Sequence, residues 1–113
     1  MPTVTIYHNP RCTKSRQTLQ LIKDQGVEPT IVEYLKTPPS AEELGEFVKK
    51  LGISPAELVR KKENKALGLA DPDDDQGWIN RMVANPQIIE RPIVVAGRKA
   101  CLGRPPENVL EIL

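Results

Sequence analysis

A cysteine stands among cationic residues at the point where a β-rich segment gives way to a helical one. Cys12 follows Arg11 and precedes Lys14 and Arg16. A helix N-terminus presents unpaired N–H groups and the positive end of the helix dipole, so it lowers the pKa of a thiol placed there. Nearby cations act in the same direction. The pattern predicts a thiolate nucleophile beside an oxyanion site. The alternative is a cysteine that packs as a small apolar side chain.

Three further arginines lie near predicted element boundaries and are candidates for binding an oxyanion: Arg60, Arg91 and Arg104. The planar guanidinium donates paired hydrogen bonds and stays charged, which suits a tetrahedral anion. Each could equally be a surface charge, and their spacing does not show that they converge. Arg91 also precedes Pro92, and a proline before a strand can form a cis peptide bond that holds the backbone against the cysteine loop.

Two polar residues flank Cys12 and have open roles. His8 is a candidate catalytic residue that tunes the thiolate, or an ordinary strand-end residue. Ser15 is a candidate substrate-binding residue that donates a hydrogen bond to sulfur, or a residue that only begins the helix. Cys101 is interpreted as a core residue of a hairpin strand. Neither cysteine belongs to a C-x-x-C pair, which argues against a disulfide framework and, with one histidine, against a zinc site.

Length and charge limit the class of protein. A chain of 113 residues with 39% hydrophobic residues fits one domain with an ordinary core. Sixteen basic and fifteen acidic residues give a net charge of +1, so no broad basic surface for nucleic acid or a membrane is indicated. No signal peptide and no apolar run of about 18 to 20 residues are recognisable. We expect a cytoplasmic protein with reduced thiols.

The elements that position these residues follow from periodicity. Residues 3–7 alternate as a strand, residues 14–25 have helical spacing, and residues 30–34 predict a second strand. Strands joined by such a helix are expected to be parallel, with a right-handed crossover.

Helices are predicted through about residues 40–90. Ser40 opens one with a capping box, Ser54 repeats the start signal before a proline, and the acidic run 71–75 is interpreted as a helix cap. A hairpin turning at Gly97-Arg98 and a closing helix from Pro105 follow. This order predicts an α/β, thioredoxin-like fold, with residues 1–113 as a single domain containing a helical insertion.

Several separated motifs occur in a family-specific order along nearly the whole chain: Tyr7-His8-Asn9-Pro10, Cys12, Ser15-Arg16, Glu28-Pro29, Tyr34-Leu35, Pro38-Pro39, Leu51-Gly52-Ile53, Arg60-Lys61, Asn85-Pro86, Arg91-Pro92-Ile93-Val94-Val95 and Arg104-Pro105. Together they resemble the ArsC family of glutaredoxin-coupled arsenate reductases, including its shorter arsenate-reductase-like members.

The resemblance implies a role for each candidate residue. Cys12 is the nucleophile, His8 helps to ionise it, and the substrate-side arginines are Arg60, Arg91 and Arg104. The thiolate attacks arsenate, glutathione attacks the resulting adduct, glutaredoxin resolves the glutathione mixed disulfide, and arsenite leaves. The implied partners are therefore an oxyanion, glutathione as co-substrate and glutaredoxin, with no bound cofactor, metal or flavin.

The chain departs from the best-known reductases at two points. Arg11 and Thr13-Lys14 flank the cysteine where small residues are usual, and the chain ends at Leu113 without the longer tail of some members. Two alternatives stay open: an Spx-like regulator that binds RNA polymerase, and a thiol oxidoreductase acting on another oxyanion. Redox-sensing Spx proteins tend to have C-x-x-C, whereas here Ser15 stands in place of the second cysteine. The phosphatase-like class needs C-x5-R, and Thr18 occupies the place of that arginine.

Overall fold

A computed structural model describes residues 3–113, which form one four-stranded sheet and four α-helices. The strands are β1 Val4–His8, β2 Thr30–Glu33, β3 Ile93–Ala96 and β4 Lys99–Leu102, and the helices are α1 Thr13–Asp24, α2 Ala41–Leu51, α3 Lys61–Ala66 and α4 Asp75–Ala84. The sheet order is β2-β1-β3-β4, with β1 and β2 parallel and the other pairs antiparallel. Within residues 3–113, no helix is long and apolar enough to cross a bilayer.

The chain divides into two compact units. The sheet unit comprises the chain up to Thr37 together with Arg91–Leu113, and the helical unit comprises Pro38–Glu90. The helical unit has nearly the bounds of the predicted insertion at about residues 40–90. The single-domain organisation stays a prediction.

The sheet unit is a βαβ motif followed by a hairpin, as predicted. Side chains of β1 alternate between buried and partly buried positions, and Val4 and Ile6 join Ile22 of α1 in the core. The hairpin turns at Gly97, whose φ of 62° is readily adopted only by glycine. Predicted and observed bounds of α1 and β2 differ by one residue.

The closing segment differs from the predicted helix, because Pro106–Glu111 is a 3-10 helix. Its hydrogen bonds include Asn108 N–H to Pro105 O at 3.0 Å and Ile112 N–H to Val109 O at 3.2 Å, which are i→i+3 spacings. Val109 is fully buried and belongs to the core of the sheet unit.

Caps in the helical unit follow the sequence signals. Ser40 and Glu43 form the predicted capping box, with Glu43 N–H donating to Ser40 Oγ at 3.1 Å. Asp74 accepts a hydrogen bond from Gly77 N–H at 2.8 Å, which confirms the acidic run as a helix cap. Leu44 and Met82 are fully buried on their helices.

Two features of the helical unit were not predicted. The start signal at Ser54 leads only to the 3-10 helix Pro55–Leu58, and the helix Lys61–Ala66 follows it. The sequence KKENKA has no apolar periodicity, so its helix leaves no signal. The chain on either side of Val59 is tied to the segment before Arg91: Arg60 N–H donates to Ile88 O at 2.6 Å and Glu90 N–H to Leu58 O at 2.7 Å.

Candidate active site

Cys12 lies where a tight turn after β1 leads into α1. It is the N-cap residue, with extended φ and ψ of −91° and 122°. Its N–H donates to Asn9 O at 2.9 Å, and its carbonyl accepts from Arg16 N–H at 3.0 Å as the first bond of the helix. The predicted position of the thiol at a helix N-terminus is therefore confirmed.

Donors around the sulfur favour the thiolate. Burial acts to raise the pKa of Cys12, but hydrogen bonds from the Ser15 N–H, the Arg91 side chain and the Lys14 N–H lower it, and the net pKa is below the ordinary value. The positive charge of Arg91 adds to this lowering. The cation that acts on the sulfur thus comes from the entrance to the hairpin and not from the residues adjacent to Cys12.

Behind the cysteine lies a buried polar cluster. Ser15 Oγ is 2.6 Å from His8 Nδ1 and accepts a hydrogen bond from Asn9 N–H at 3.1 Å. Burial lowers the pKa of His8, and although Glu33 opposes this shift, Arg16 strengthens it. His8 is therefore neutral near pH 7 and connects to Cys12 through Ser15, whose own N–H reaches the sulfur. The Ser15 side chain is fully buried against His8. The catalytic role of His8 and the substrate contact of Ser15 stay predictions.

Arg91 and Arg104 come together at one end of the hairpin. Arg104 Nε donates to the Arg91 carbonyl at 3.1 Å, so Arg104 is held to the residue whose side chain contacts the sulfur. Both Arg91-Pro92 and Arg104-Pro105 are cis peptide bonds; the first was raised from the sequence and the second was not. The sheet unit thus places Arg91 at Cys12 and Arg104 beside Arg91.

Arg60 belongs to the helical unit and is held there by two carboxylates. Its Nε lies 3.3 Å from Glu63 Oε2 and 3.7 Å from Glu90 Oε1. These ion pairs orient a half-buried guanidinium. Its participation in substrate binding stays a prediction.

Asn9 shapes the cysteine loop, a role that sequence reasoning did not assign to it. Its Oδ1 accepts from Arg11 N–H at 3.0 Å, and its carbonyl accepts from Cys12 N–H. An asparagine whose side chain bonds the backbone two residues later forms an Asx turn, which the Asn9-Pro10 dipeptide could have signalled.

Cys101 has the opposite environment. It is partly buried on β4 and packs against the core of the sheet unit. Burial, with a smaller effect of Glu111, raises the pKa of Cys101 to about 11. This supports its interpretation as a core residue.

Fold and site define a thioredoxin-like protein with an activated cysteine at a helix start and an arginine donating to its sulfur. The model of the ArsC family matches residues 7–112, and the chain belongs to that family.

Comparison with individual proteins agrees with the family. The chain is 55% identical over 114 residues to the uncharacterized protein YfgD of Escherichia coli K12, covering 97% of this chain and 96% of that one. It is 44% identical over 117 residues to an arsenate reductase of Neisseria meningitidis serogroup A, covering 100% of both. A solved structure of an arsenate reductase from Vibrio cholerae matches with a TM-score of 0.92 and 45% identity, covering 99% of this chain and 98% of that one. The predicted thioredoxin-like fold and family are confirmed.

Proposed function

We propose that the protein is an oxidoreductase that reduces arsenate to arsenite with glutathione and glutaredoxin. The observation that carries the proposal is the set of donors on one sulfur: the N–H groups of Lys14 and Ser15 and the guanidinium of Arg91. The same donors that stabilise a thiolate stabilise an oxyanion bound to it. The names of the Neisseria and Vibrio relatives support arsenate as that oxyanion.

The first step is attack of the Cys12 thiolate on arsenic. A sulfur–arsenic bond forms and an arsenate oxygen leaves as water after protonation. Arg91 neutralises the oxygens next to the sulfur, and Arg104, held on the Arg91 carbonyl, supplies a second positive charge. Arg60, oriented by Glu63 and Glu90, is the third proposed arginine.

The reductant comes from other molecules. Cys101 has its pKa raised to about 11 and packs in the core, so it is a poor resolving thiol. A glutathione thiolate therefore attacks the Cys12 sulfur of the adduct, and the sulfur–arsenic bond breaks with its electron pair left on arsenic. Glutaredoxin then resolves the resulting mixed disulfide between Cys12 and glutathione. In the net reaction two thiols are oxidised to one disulfide, arsenic gains two electrons, and arsenite and water are released.

The test is arsenite formation by the purified protein with arsenate, glutathione and glutaredoxin. We expect activity in the wild type and in Cys101→Ala, and none in Cys12→Ser. Omission of glutathione or of glutaredoxin should also abolish turnover. If the wild type forms no more arsenite than Cys12→Ser, the proposal fails.

A second candidate is reduction of a different oxyanion by the same site. The bulky cationic residues Arg11 and Lys14 flank the cysteine, and both are exposed. The YfgD relative, at 55% identity, has no activity in its name. Glutathione oxidation measured with selenate or chromate in place of arsenate distinguishes this candidate. The Spx-like alternative stays a prediction, and capture of RNA polymerase from cell extract by the intact protein tests it.

A further inference from the structure

The helix that carries Cys12 and the hairpin ends that carry the arginines meet at Gly103. Thr18 of α1 and Pro92 are fully buried, and both lie against Gly103, which is also buried. A Cβ at position 103 would lie 2.7 Å from Pro92 Cγ and 2.9 Å from Thr18 Cγ2, and closer still to Thr18 Oγ1. Carbon atoms pack at about 3.5–4.0 Å. Only a residue without a side chain permits this approach.

Hydrogen bonds join Gly103 to both neighbours. Its N–H donates to Pro92 O at 2.9 Å. The Thr18 hydroxyl donates to Lys14 O at 2.8 Å, and its oxygen lies 3.4 Å from the Gly103 carbonyl. Gly103 therefore contacts α1 through Thr18, which is bonded to Lys14 of the first turn, and it is bonded on its other side to the residue after Arg91.

Both attachments lead to the sulfur of Cys12. On the helix side, Lys14 donates its N–H to the sulfur. On the hairpin side, Arg91 donates its side chain to the same atom, and Arg104, next to Gly103, bonds the Arg91 carbonyl. Two series of contacts within the sheet unit therefore connect Gly103 to the Cys12 sulfur, one through α1 and one through the hairpin end.

We propose that Gly103 is a positioning residue, which sets how closely Arg91, with Arg104 bonded to its carbonyl, approaches Cys12. A side chain at this position pushes α1 away from the hairpin end and lengthens the contact between guanidinium and sulfur. The inference rests on the proposed function for one point, which is the catalytic use of a short distance between the Arg91 guanidinium and the Cys12 sulfur. The approach itself is measurable without arsenate.

The experiment measures the rate of iodoacetamide alkylation against pH in a Cys101→Ala background, so that only Cys12 reacts. For Gly103→Ala we expect the midpoint to rise by about one unit, which is about tenfold less thiolate below the midpoint. Far-UV circular dichroism establishes that the variant is folded. An unchanged midpoint in folded Gly103→Ala overturns the proposal, whatever the change in melting temperature.

A size exchange at Thr18 supplies the matched rescue. Thr18→Ala removes Oγ1 and Cγ2, two of the three atoms nearest the added methyl, whereas Thr18→Ser keeps the nearest one, Oγ1. Combined with Gly103→Ala, Thr18→Ala should return at least about half of the midpoint shift, which is about a threefold gain in thiolate. Thr18→Ser should return less. If Thr18→Ala recovers no more than Thr18→Ser, the proposal is overturned.

Dependence on Arg91 completes the test. In an Arg91→Ala protein, Gly103→Ala should add no further shift, because the contact that it weakens is already absent. A full additional shift contradicts the proposal. If Gly103→Ala does not fold, Thr18→Val, which puts a methyl against the Gly103 carbonyl, should raise the midpoint by about half a unit, which is about threefold less thiolate below the midpoint. No rise in the midpoint overturns the proposal.

Arsenite formation is measured in parallel on the same variants. Midpoint shifts with an inactive wild type uphold the role of Gly103 and reject arsenate reduction. An active wild type with no midpoint shift in Gly103→Ala does the reverse.

Discussion

The two cysteines of the sheet unit have the same side chain and opposite chemistry. Cys12 caps α1, where backbone N–H groups and Arg91 lower its pKa below the ordinary value. Cys101 lies within β4, where burial and then Glu111 raise its pKa to about 11. A helix N-terminus leaves its first N–H groups available to the sulfur of Cys12, whereas burial and a nearby carboxylate act on the sulfur of Cys101. The difference teaches that the surroundings of each thiol, and not its residue type, set its pKa and therefore its reactivity.

The largest expected effect is the contrast in alkylation rate at pH 7. At that pH the thiolate fraction of Cys101 is about 10⁻⁴, from a pKa of about 11. The stronger nucleophilicity of a more basic thiolate offsets part of this disadvantage. We therefore expect Cys12 to react at least about tenfold faster, measured by mass spectrometry of labelled peptides. Comparable alkylation rates at Cys12 and Cys101 would contradict the opposite pKa shifts of the two thiols.

The next effect isolates the contribution of Arg91. Arg91→Ala should raise the pKa of Cys12 by about one unit, because it removes a charged donor from the thiolate. Arg98→Ala, in the exposed hairpin turn, is the matched control and should leave it unchanged. The measurement is alkylation rate against pH in the Cys101→Ala background. Equal midpoints in the two variants would show that the backbone alone activates the sulfur.

Ser15→Ala separates side-chain from backbone contributions at the cysteine. Loss of the hydroxyl leaves His8 Nδ1 and Asn9 N–H without this buried partner, so the free energy of unfolding should fall by about 1–3 kcal/mol. Thr13→Ala, on an exposed residue of the same helix, is the control. Urea denaturation gives both values. The pKa of Cys12 should change little, because the donor to sulfur is the Ser15 backbone N–H; a large shift would instead assign the activation to the hydroxyl.

The smallest effect is a pair of opposite pH dependences of stability. The lowered pKa of Cys12 adds stability as the pH rises through it towards the unfolded value of about 8.5. The raised pKa of Cys101 removes stability above about 8.5, because the unfolded chain ionises first. Thermal unfolding between pH 6 and 10 should show that Cys12→Ser loses the gain and Cys101→Ala loses the decline. Slopes of the same sign would contradict the two assigned environments.

Much of the fold could be predicted because its signals are local. The capping box at Ser40, the acid cap at Asp74 and the alternation in β1 each depend on residues a few positions apart. The placement of Cys12 at a helix start follows in the same way. The helix Lys61–Ala66 was missed because it has no apolar periodicity.

The sequence by itself determined the family and the place of Cys12 at a helix N-terminus, since these depend on ordered motifs and on adjacent residues. It also predicts Cys12 as the nucleophile. Only the tertiary structure decided that Arg91, and not the neighbouring Arg11 or Lys14, brings its side chain to the sulfur. It also decided that the Ser15 hydroxyl bonds His8 and that Gly103 lies between Thr18 and Pro92. These contacts join residues that are not adjacent in the chain. Sheet pairing and close packing bring those residues together, and neither sheet pairing nor close packing produces a periodic pattern in the sequence.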